Sequence, residues 1–247
     1  MLVCVERNSM KKIAILQSNY IPWKGYFDII NMVDEFILYD DMQYTRRDWR
    51  NRNKIKTVNG IRWISIPVDT KGKFSQKINE TRVSDRKWVR NHLMTIEQSY
   101  AKAPYIKMYK DWLTDIYGRA SELEMLSDIN YLFLTEICDL LGIKTKITWS
   151  SDYELADGKT ERLAALVKSA GGDYYLSGPS AQNYIEDEVF ERAGIELEYM
   201  NYDGYPEYPQ LHGPYDQNVS IIDLLMMTGP DAPHYMKSFQ GGASSNG

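Results

Sequence analysis

The polar residues best suited to chemistry are concentrated in residues 40–54. This segment opens with two carboxylates, Asp40 and Asp41, and continues with arginine, asparagine, glutamine and aromatic residues. Arginine binds phosphate through two parallel hydrogen bonds, and tyrosine or tryptophan rings stack on bases and sugars. The segment therefore indicates a site for a phosphate-bearing ligand, with an ordinary basic surface loop as the alternative. Its predicted binding residues are Gln43, Tyr44, Arg46, Arg47, Trp49, Arg50, Asn51, Arg52 and Lys54.

A second candidate is the turn Ser177-Gly178-Pro179-Ser180, which follows a predicted strand and precedes a predicted helix. Gly178 permits close approach of a ligand to the backbone. Ser180 can cap the helix and offer its hydroxyl, while the free N–H groups of a helix start favour an anion. The turn therefore suits a phosphate, although an ordinary capped turn explains it equally simply.

The loop after the first predicted strand, residues 17–25, is the third candidate. The proposed binding residues are Gln17, Asn19, Tyr20 and Trp23 in this loop and Tyr26 at the start of the next predicted helix. Nucleotidyltransferase-like domains carry His-x-Gly-His at this place, and the chain resembles them in position with Trp23-Lys24-Gly25-Tyr26. Both imidazoles are replaced, so the resemblance implies a nucleotide-sized ligand without implying ATP chemistry. Core packing of Trp23 and Tyr26 is the alternative.

Near the end, two Tyr-Pro units flank a carboxylate in Tyr205-Pro206-Glu207-Tyr208-Pro209. Proline fixes the backbone, so this segment can hold Tyr205, Glu207 and Tyr208 rigidly without regular structure. It is predicted to be either a lid over the site or a packing strap across the sheet.

Composition excludes several classes of protein. The chain has 3 His and 2 Cys, all at isolated positions, which argues against a metal site, a disulfide framework or a catalytic thiolate, and favours a reducing, cytoplasmic setting. No apolar stretch approaches the roughly 18 residues of a membrane span, and no signal peptide is recognisable. A net charge of −5 argues against nucleic acid as a partner.

The elements that position these residues alternate between short apolar runs and helical patterns. Strands are predicted at 13–16, 36–39, 61–68, 146–149, 174–177 and 195–199, and helices at 26–33, 88–99, 105–117, 127–141, from 160 to about 170, and 181–193. This rhythm predicts an α/β fold with a doubly wound, mostly parallel, Rossmann-like sheet. We expect one domain over residues 10–240, with 85–141 as a mainly helical insertion and residues 1–9 and 241–247 as flexible tails.

Several long motifs resemble the WbqC-like family of O-antigen and polysaccharide gene clusters. They are Gln17-Ser-Asn-Tyr-Ile-Pro-Trp-Lys-Gly-Tyr-Phe-Asp28, Tyr39-Asp-Asp-Met-Gln-Tyr44, Arg47-Asp-Trp-Arg-Asn-Arg-Asn-Lys54, Lys102-Ala-Pro-Tyr105, Tyr175-Leu-Ser-Gly-Pro-Ser180 and Tyr205-Pro-Glu-Tyr-Pro-Gln-Leu211. The resemblance implies acylation or aminoacylation, for instance with glycine, of the amine of a nucleotide-linked 4-amino-4,6-dideoxyhexose, with a dTDP-sugar favoured. The acyl donor would be a carrier-protein thioester, CoA or an ATP-activated amino acid.

For such an amide-forming reaction the amine must be neutral and the developing oxyanion stabilised. His92, in a predicted helix, is the candidate general base, with a structural or solvent-exposed histidine as the alternative. Asp40 and Asp41 are candidates to accept the proton or orient the amine. Two alternatives stay open: an ATP-dependent ligase or nucleotidyltransferase-like enzyme, and a non-catalytic protein that binds nucleotide sugars or glycans.

Overall fold

The computed structural model describes residues 10–240, so the predicted tails, 1–9 and 241–247, lie outside the described residues. The strands are β1 (Lys12–Leu16), β2 (Glu35–Leu38), β3 (Arg52–Thr57), β4 (Gly60–Ser65), β5 (Lys146–Trp149), β6 (Tyr174–Ser177) and β7 (Glu196–Tyr199). The α-helices are α1 (Lys24–Asn31), α2 (Lys87–Ser99), α3 (Ile106–Ala120), α4 (Leu126–Leu141), α5 (Thr160–Ser169), α6 (Asp187–Arg192) and α7 (Ile221–Thr228).

Five strands form an all-parallel sheet in the order β5-β2-β1-β6-β7. The chain adds β2 and β5 on one side of β1, and then returns to add β6 and β7 on the other side. The direction of winding therefore reverses between β1 and β6. This arrangement confirms the predicted α/β fold with a doubly wound, Rossmann-like sheet.

Both faces of the sheet are covered by helices, and the strands alternate between two hydrophobic clusters. Ala14, Phe36 and Leu176 pack with α1, α4 and α7 on one face. Ile15 and Ile37 pack with α5 and α6 on the other. Fully burying one such aliphatic or aromatic side chain is worth about 1.5–3 kcal/mol, so these two clusters hold the layers together.

The helices α2, α3 and α4 lie within the segment predicted to be mainly helical, and their ends agree with the predicted ends to within three residues. Their buried residues, among them Trp88, Leu113 and Phe133, belong to the same cluster as one face of the sheet. Helix α4 ends because Gly142, at a φ of 76°, adopts the left-handed conformation that closes a helix.

Three local elements differ from the expectations. Residues 52–57, taken as part of a loop, form strand β3, which pairs antiparallel with β4 in a separate hairpin. The predicted helix 181–193 is replaced by a 3-10 helix, Pro179–Asn183, followed by the six-residue helix α6. Helix α7 was not expected; Ser220 caps it by accepting a hydrogen bond from the Ile222 N–H at 3.3 Å.

Within residues 10–240, every helix is too short or too polar to cross a membrane.

Candidate functional site

The reversal of winding leaves a crevice between the carboxyl ends of β1 and β6, which is where open α/β sheets bind ligands. A cavity of about 260 Å³ occupies this position, and we call it the switch-point cavity. It is lined by Ile15, Leu16, Gln17, Asn19, Tyr39, Met42, Arg50, Lys159, Leu163, Tyr175, Ser177, Gly178, Ser180, Ala181 and Tyr184. The fold thus brings residues from all three predicted loops to one place.

Arg50 ties the loop after β1 to the cavity wall. Its guanidinium donates hydrogen bonds to the backbone carbonyls of Gln17 at 3.2 Å and Ser18 at 3.3 Å, and to the side-chain oxygen of Asn19. Tyr26 also donates to the Gln17 carbonyl, at 2.8 Å. The loop is therefore fixed at its start, and the amide nitrogen of Asn19 is left to face a ligand because it donates to no group within residues 10–240.

The same loop contains backbone strain. Ile21 has a φ of 36°, which a β-branched residue rarely adopts and which costs on the order of 1–3 kcal/mol. Contacts from elsewhere offset this cost: the Ser220 hydroxyl donates to the Ile21 carbonyl at 2.7 Å, the Ile221 N–H to the Pro22 carbonyl at 2.8 Å, and Asn53 to the Tyr20 carbonyl at 3.1 Å. The loop is consequently held in one conformation before any ligand arrives.

The switch-point cavity is positively charged. Arg50 and Lys159 line it, and none of the lining side chains is a carboxylate. Arg50 has an ion-pair contact of 3.5 Å with Asp48, which is outside the lining, and the Lys159 ammonium lies 5.0 Å from the ring centre of Tyr184. Such a site favours an anionic ligand group, to which Arg50 would contribute chiefly its charge, because its Nη1 already donates to the loop after β1.

Asp40, a predicted catalytic residue, is 1% exposed and lies behind the cavity. It accepts hydrogen bonds from the Ser18 N–H at 2.7 Å and from the hydroxyls of Ser18 and Ser127, both at 2.6 Å. Burial raises the pKa of this carboxyl, and these hydrogen bonds oppose the rise. Because its oxygens are engaged and enclosed, Asp40 positions the loop after β1 and α4; the geometry argues against a direct role in proton transfer.

Asp41 is also buried and engaged. Ser150 donates a short hydrogen bond to one carboxylate oxygen, and Arg162 of α5 lies 3.6 Å from the other. Asp41 thus joins the end of β2 to the end of β5 and to α5, and it does not line the cavity.

His92, the predicted general base, lies on α2 inside the hydrophobic core. Its Nε2 donates to the Ser65 carbonyl at 3.1 Å, and its Nδ1 is 3.0 Å from the hydroxyl of Tyr20, which in turn is 2.6 Å from the hydroxyl of Tyr117. Burial lowers the pKa of His92 to about 4. This imidazole is neutral at physiological pH but is enclosed, so its position does not support the predicted role.

A second cavity, of about 290 Å³, lies on the other side of Asn19, and we call it the tryptophan cavity. Its lining residues are Asn19, Pro22, Trp23, Trp49, Asn53, Lys54 and Asn218. Trp49 is 37% exposed and its ring centre lies 5.2 Å from that of Trp63. The Lys54 ammonium lies 5.6 Å from the Trp49 ring centre and 5.4 Å from that of Trp63.

Comparison with known proteins places these loops in a family. Residues 17–235 match the WbqC-like protein family, a span that runs from the loop after β1 to the segment beyond α7 and includes every residue that lines the two cavities except Ile15 and Leu16. The chain belongs to this family. An uncharacterized protein of Mycobacterium tuberculosis, Rv1507c, is 51% identical over 228 residues, which cover 92% of this chain and 98% of the relative. Among solved structures, none matches the chain.

Most of the other arginines of this WbqC-like protein lie away from the switch-point cavity. Arg46 donates to the Thr70 carbonyl at 3.0 Å, beside a surface cavity of about 600 Å³ that Gln43 and Tyr44 also line. Arg52 stacks 4.1 Å from the ring centre of Trp63 and donates to the Arg47 carbonyl. Of the four arginines among the predicted binding residues, Arg46, Arg47, Arg50 and Arg52, only Arg50 lines the switch-point cavity. The side-chain amide of Asn51 donates a hydrogen bond to the Ile66 carbonyl at 2.8 Å and so supports the hairpin of β3 and β4.

The Tyr-Pro segment is a packing strap. Tyr205 donates to Asp28 of α1 at 2.5 Å, and Tyr208 donates to Asp223 of α7 at 2.8 Å. Both tyrosines are buried, and burial together with the neighbouring carboxylate raises the pKa of each. Glu207 is exposed and lines neither cavity. The segment therefore fastens α1 to α7, and the lid interpretation is not supported.

The turn after β6 differs from the prediction in one respect. Gly178, and not Ser180, precedes the 3-10 helix, and no side chain caps that helix. Ser180 and Ser177 still line the cavity, so they can offer hydroxyls, but this short helix provides no anion site of its own. Sequence reasoning missed Lys159, Tyr39 and Tyr184 in the switch-point cavity, and Asn53 and Asn218 in the tryptophan cavity. A signal existed for Tyr39, which ends a predicted strand beside β1, and for Asn53, which lies within residues 40–54.

Proposed function

We propose that this WbqC-like protein is a transferase that acylates or aminoacylates, for instance with glycine, the amine of a nucleotide-linked 4-amino-4,6-dideoxyhexose. The diphosphate of the substrate would bind in the switch-point cavity. The observation that carries the proposal is the charge of that cavity: Arg50 and Lys159 line it at the carboxyl ends of β1 and β6, and no carboxylate does. Nucleotide phosphates bind at this position in doubly wound folds.

Amide formation would proceed by direct attack of the sugar amine on the donor. Cys138 is buried and burial raises its pKa to about 12, so it is a poor candidate to carry an acyl group. Nearby cations disfavour the protonated amine and so keep it nucleophilic. With a thioester donor, the C–N bond forms, the C–S bond breaks, and the amine proton passes to the departing thiolate. The free amide of Asn19 is the candidate to stabilise the oxyanion.

Calorimetry with dTDP tests the binding step. The wild-type protein should bind dTDP, and Arg50→Gln and Lys159→Gln should each weaken binding by about 10–100-fold, because a hydrogen bond to a charged group is worth about 1.5–3 kcal/mol. Arg47→Gln is the matched control, since Arg47 is exposed and outside the cavity. Absence of dTDP binding at millimolar concentration would refute the proposal.

Mass spectrometry tests the transfer step. A dTDP-4-amino-4,6-dideoxyhexose incubated with glycyl or acyl donors should gain the mass of the transferred group. Pyrophosphate release that requires ATP, amino acid and amine together would instead favour a ligase. Binding of the nucleotide sugar without any mass change, for every donor class, would favour a non-catalytic binding protein.

A further inference from the structure

The two cavities are neighbours that share one wall. Asn19 lines both, and it stands in the loop that Arg50, Asn53 and Ser220 hold rigid. A ligand whose charged part occupies the switch-point cavity can therefore extend past Asn19 into the tryptophan cavity. The lining of the second cavity decides what part of a ligand that would be.

The tryptophan cavity offers amide groups and aromatic faces. Asn53 is 2% exposed and fixed in place, since it donates to the Tyr20 carbonyl and accepts from the Lys54 N–H at 2.8 Å. The side chain of Asn218 makes no hydrogen bond within residues 10–240, so it is available to a ligand, as is the amide nitrogen of Asn19. Each asparagine can donate and accept at once, which matches hydroxyl groups. Trp49 and Trp23 add apolar faces for the C–H side of a ring.

The positive charge of Lys54 also limits which ligand groups the tryptophan cavity can hold. Lys54 lines it, no carboxylate does, and no carboxylate within residues 10–240 lies within 4.0 Å of the Lys54 ammonium. A second cation beside Lys54 is disfavoured, so an amine held there is kept neutral. The volume, about 290 Å³, is just below the roughly 300–1,000 Å³ of ligand pockets, so the cavity suits one ring and not a whole nucleotide.

We propose that the tryptophan cavity is the sugar subsite, in which the hexose ring of the nucleotide-linked substrate stacks on Trp49 and hydrogen-bonds to Asn19, Asn53 and Asn218. This assignment rests on the proposed function. It places the reacting amine beside Lys54 and the diphosphate beside Arg50, with Asn19 between them.

The experiment compares two ligands on the same variants by calorimetry. The probes are dTDP, which has no hexose, and dTDP-4-amino-4,6-dideoxyglucose. Trp49→Ala and Asn218→Ala should each bind the nucleotide sugar roughly tenfold more weakly than the wild type, the loss expected for one stacking or hydrogen-bond contact. Both variants should bind dTDP within about twofold of the wild type. Trp49→Ala keeps the backbone carbonyl that accepts from the Tyr20 N–H at 3.2 Å, so the loop retains this support.

Phe74→Ala is the control, because Phe74 is 90% exposed and lines a different cavity. It should leave both affinities unchanged. Equal affinity of the wild type and of the two variants for the nucleotide sugar would overturn the sugar subsite while leaving the proposed function standing. A parallel loss for dTDP and the nucleotide sugar would also overturn it, since the residues would then act on the nucleotide. Failure of the wild type to bind dTDP would refute the proposed function itself.

Discussion

Replacing Glu35 by glutamine removes a carboxylate that joins the amino-terminal edge of the sheet, on the side opposite the two cavities. Glu35 is the first residue of β2, is fully buried, and pairs in register with Lys146 of β5. It accepts from Lys11 at 2.8 Å, Lys146 at 3.1 Å and Thr148 at 2.9 Å, and from the Tyr153 hydroxyl. Burial by itself would raise its pKa, but these four donors outweigh burial and hold the pKa at about 2, against an ordinary 4.5.

The gap between these two pKa values sets the size and the sign of the effect. Each tenfold change in a proton equilibrium is worth about 1.4 kcal/mol, so ionised Glu35 stabilises the folded protein by about 3 kcal/mol at pH 7. Because the folded pKa is the lower one, this stability is present above pH 4.5 and is lost as the pH falls towards 2. About 2 kcal/mol of it should be gone at pH 3.

Urea unfolding, followed by circular dichroism, measures this prediction. Glu35→Gln should be less stable than the wild type by about 3 kcal/mol at pH 7, and the difference should shrink by about 2 kcal/mol at pH 3. Asp69→Asn is the matched control: Asp69 forms an exposed ion pair with Lys73 at 2.9 Å, so its loss should change stability little at either pH. An equal difference between wild type and Glu35→Gln at pH 7 and pH 3 would refute the reasoning.

Two further predictions concern buried polar groups. Tyr100 and Tyr208 donate to the two oxygens of Asp223 at 2.9 Å and 2.8 Å. Phenylalanine at either position should lower the free energy of unfolding by about 1–2 kcal/mol, and the effect of the double variant should differ from the sum of the single effects by at least about 0.5 kcal/mol. Strictly additive values in urea unfolding would contradict a shared hydrogen-bond network. The pKa of His92 is held at about 4 by burial, so its imidazole NMR signals should not shift between pH 8 and pH 5. A titration midpoint above pH 6 would show that the ring is reached by solvent.

The three central strands, β1, β2 and β6, could be predicted because each is mainly a short apolar run, as expected for parallel strands buried on both faces. The edge strands, β5 and β7, mix apolar with polar residues and are less buried. Strand β3 could not be predicted, since Arg52, Lys54 and Lys56 dominate its composition. Its conformation depends on pairing with β4, and its polar groups are satisfied by distant partners, such as Gln210 for Lys56 at 2.8 Å. The helix predicted at 181–193 failed because Tyr184 and Ile185 interrupt it, and the apolar pattern does not reveal that break.

The three loops that line the candidate site could be selected from the sequence because each follows a predicted strand or is rich in polar residues, whereas the contacts of each residue could not be predicted. Arg50 was one of several equivalent arginines in the sequence, and only the fold of the loop after β1 distinguishes it. Asp40 has the sequence position of a catalytic carboxylate, but in the fold it accepts a hydrogen bond from Ser127, 87 residues away, which no local pattern indicates. Lys159 carries no local motif and reaches the cavity because α5 starts beside the end of β2. Tertiary contacts of this kind leave no trace in residue spacing.

The contact between Ser220 and Ile21 spans 199 residues, and it bears on the order of events during synthesis. A nascent chain can form β1, β2 and α1 early, and Arg50 and Asn53 can hold part of the loop between β1 and α1 soon afterwards. The contacts of Ser220 and Ile221 with the strained Ile21-Pro22 segment form only after residue 221 has left the ribosome. Contacts this distant in sequence also form late in folding, because the intervening chain must first be ordered. A partly synthesised chain should therefore lack the last supports of this loop, and the two cavities that share Asn19 should reach their final shape only after α7 has been made.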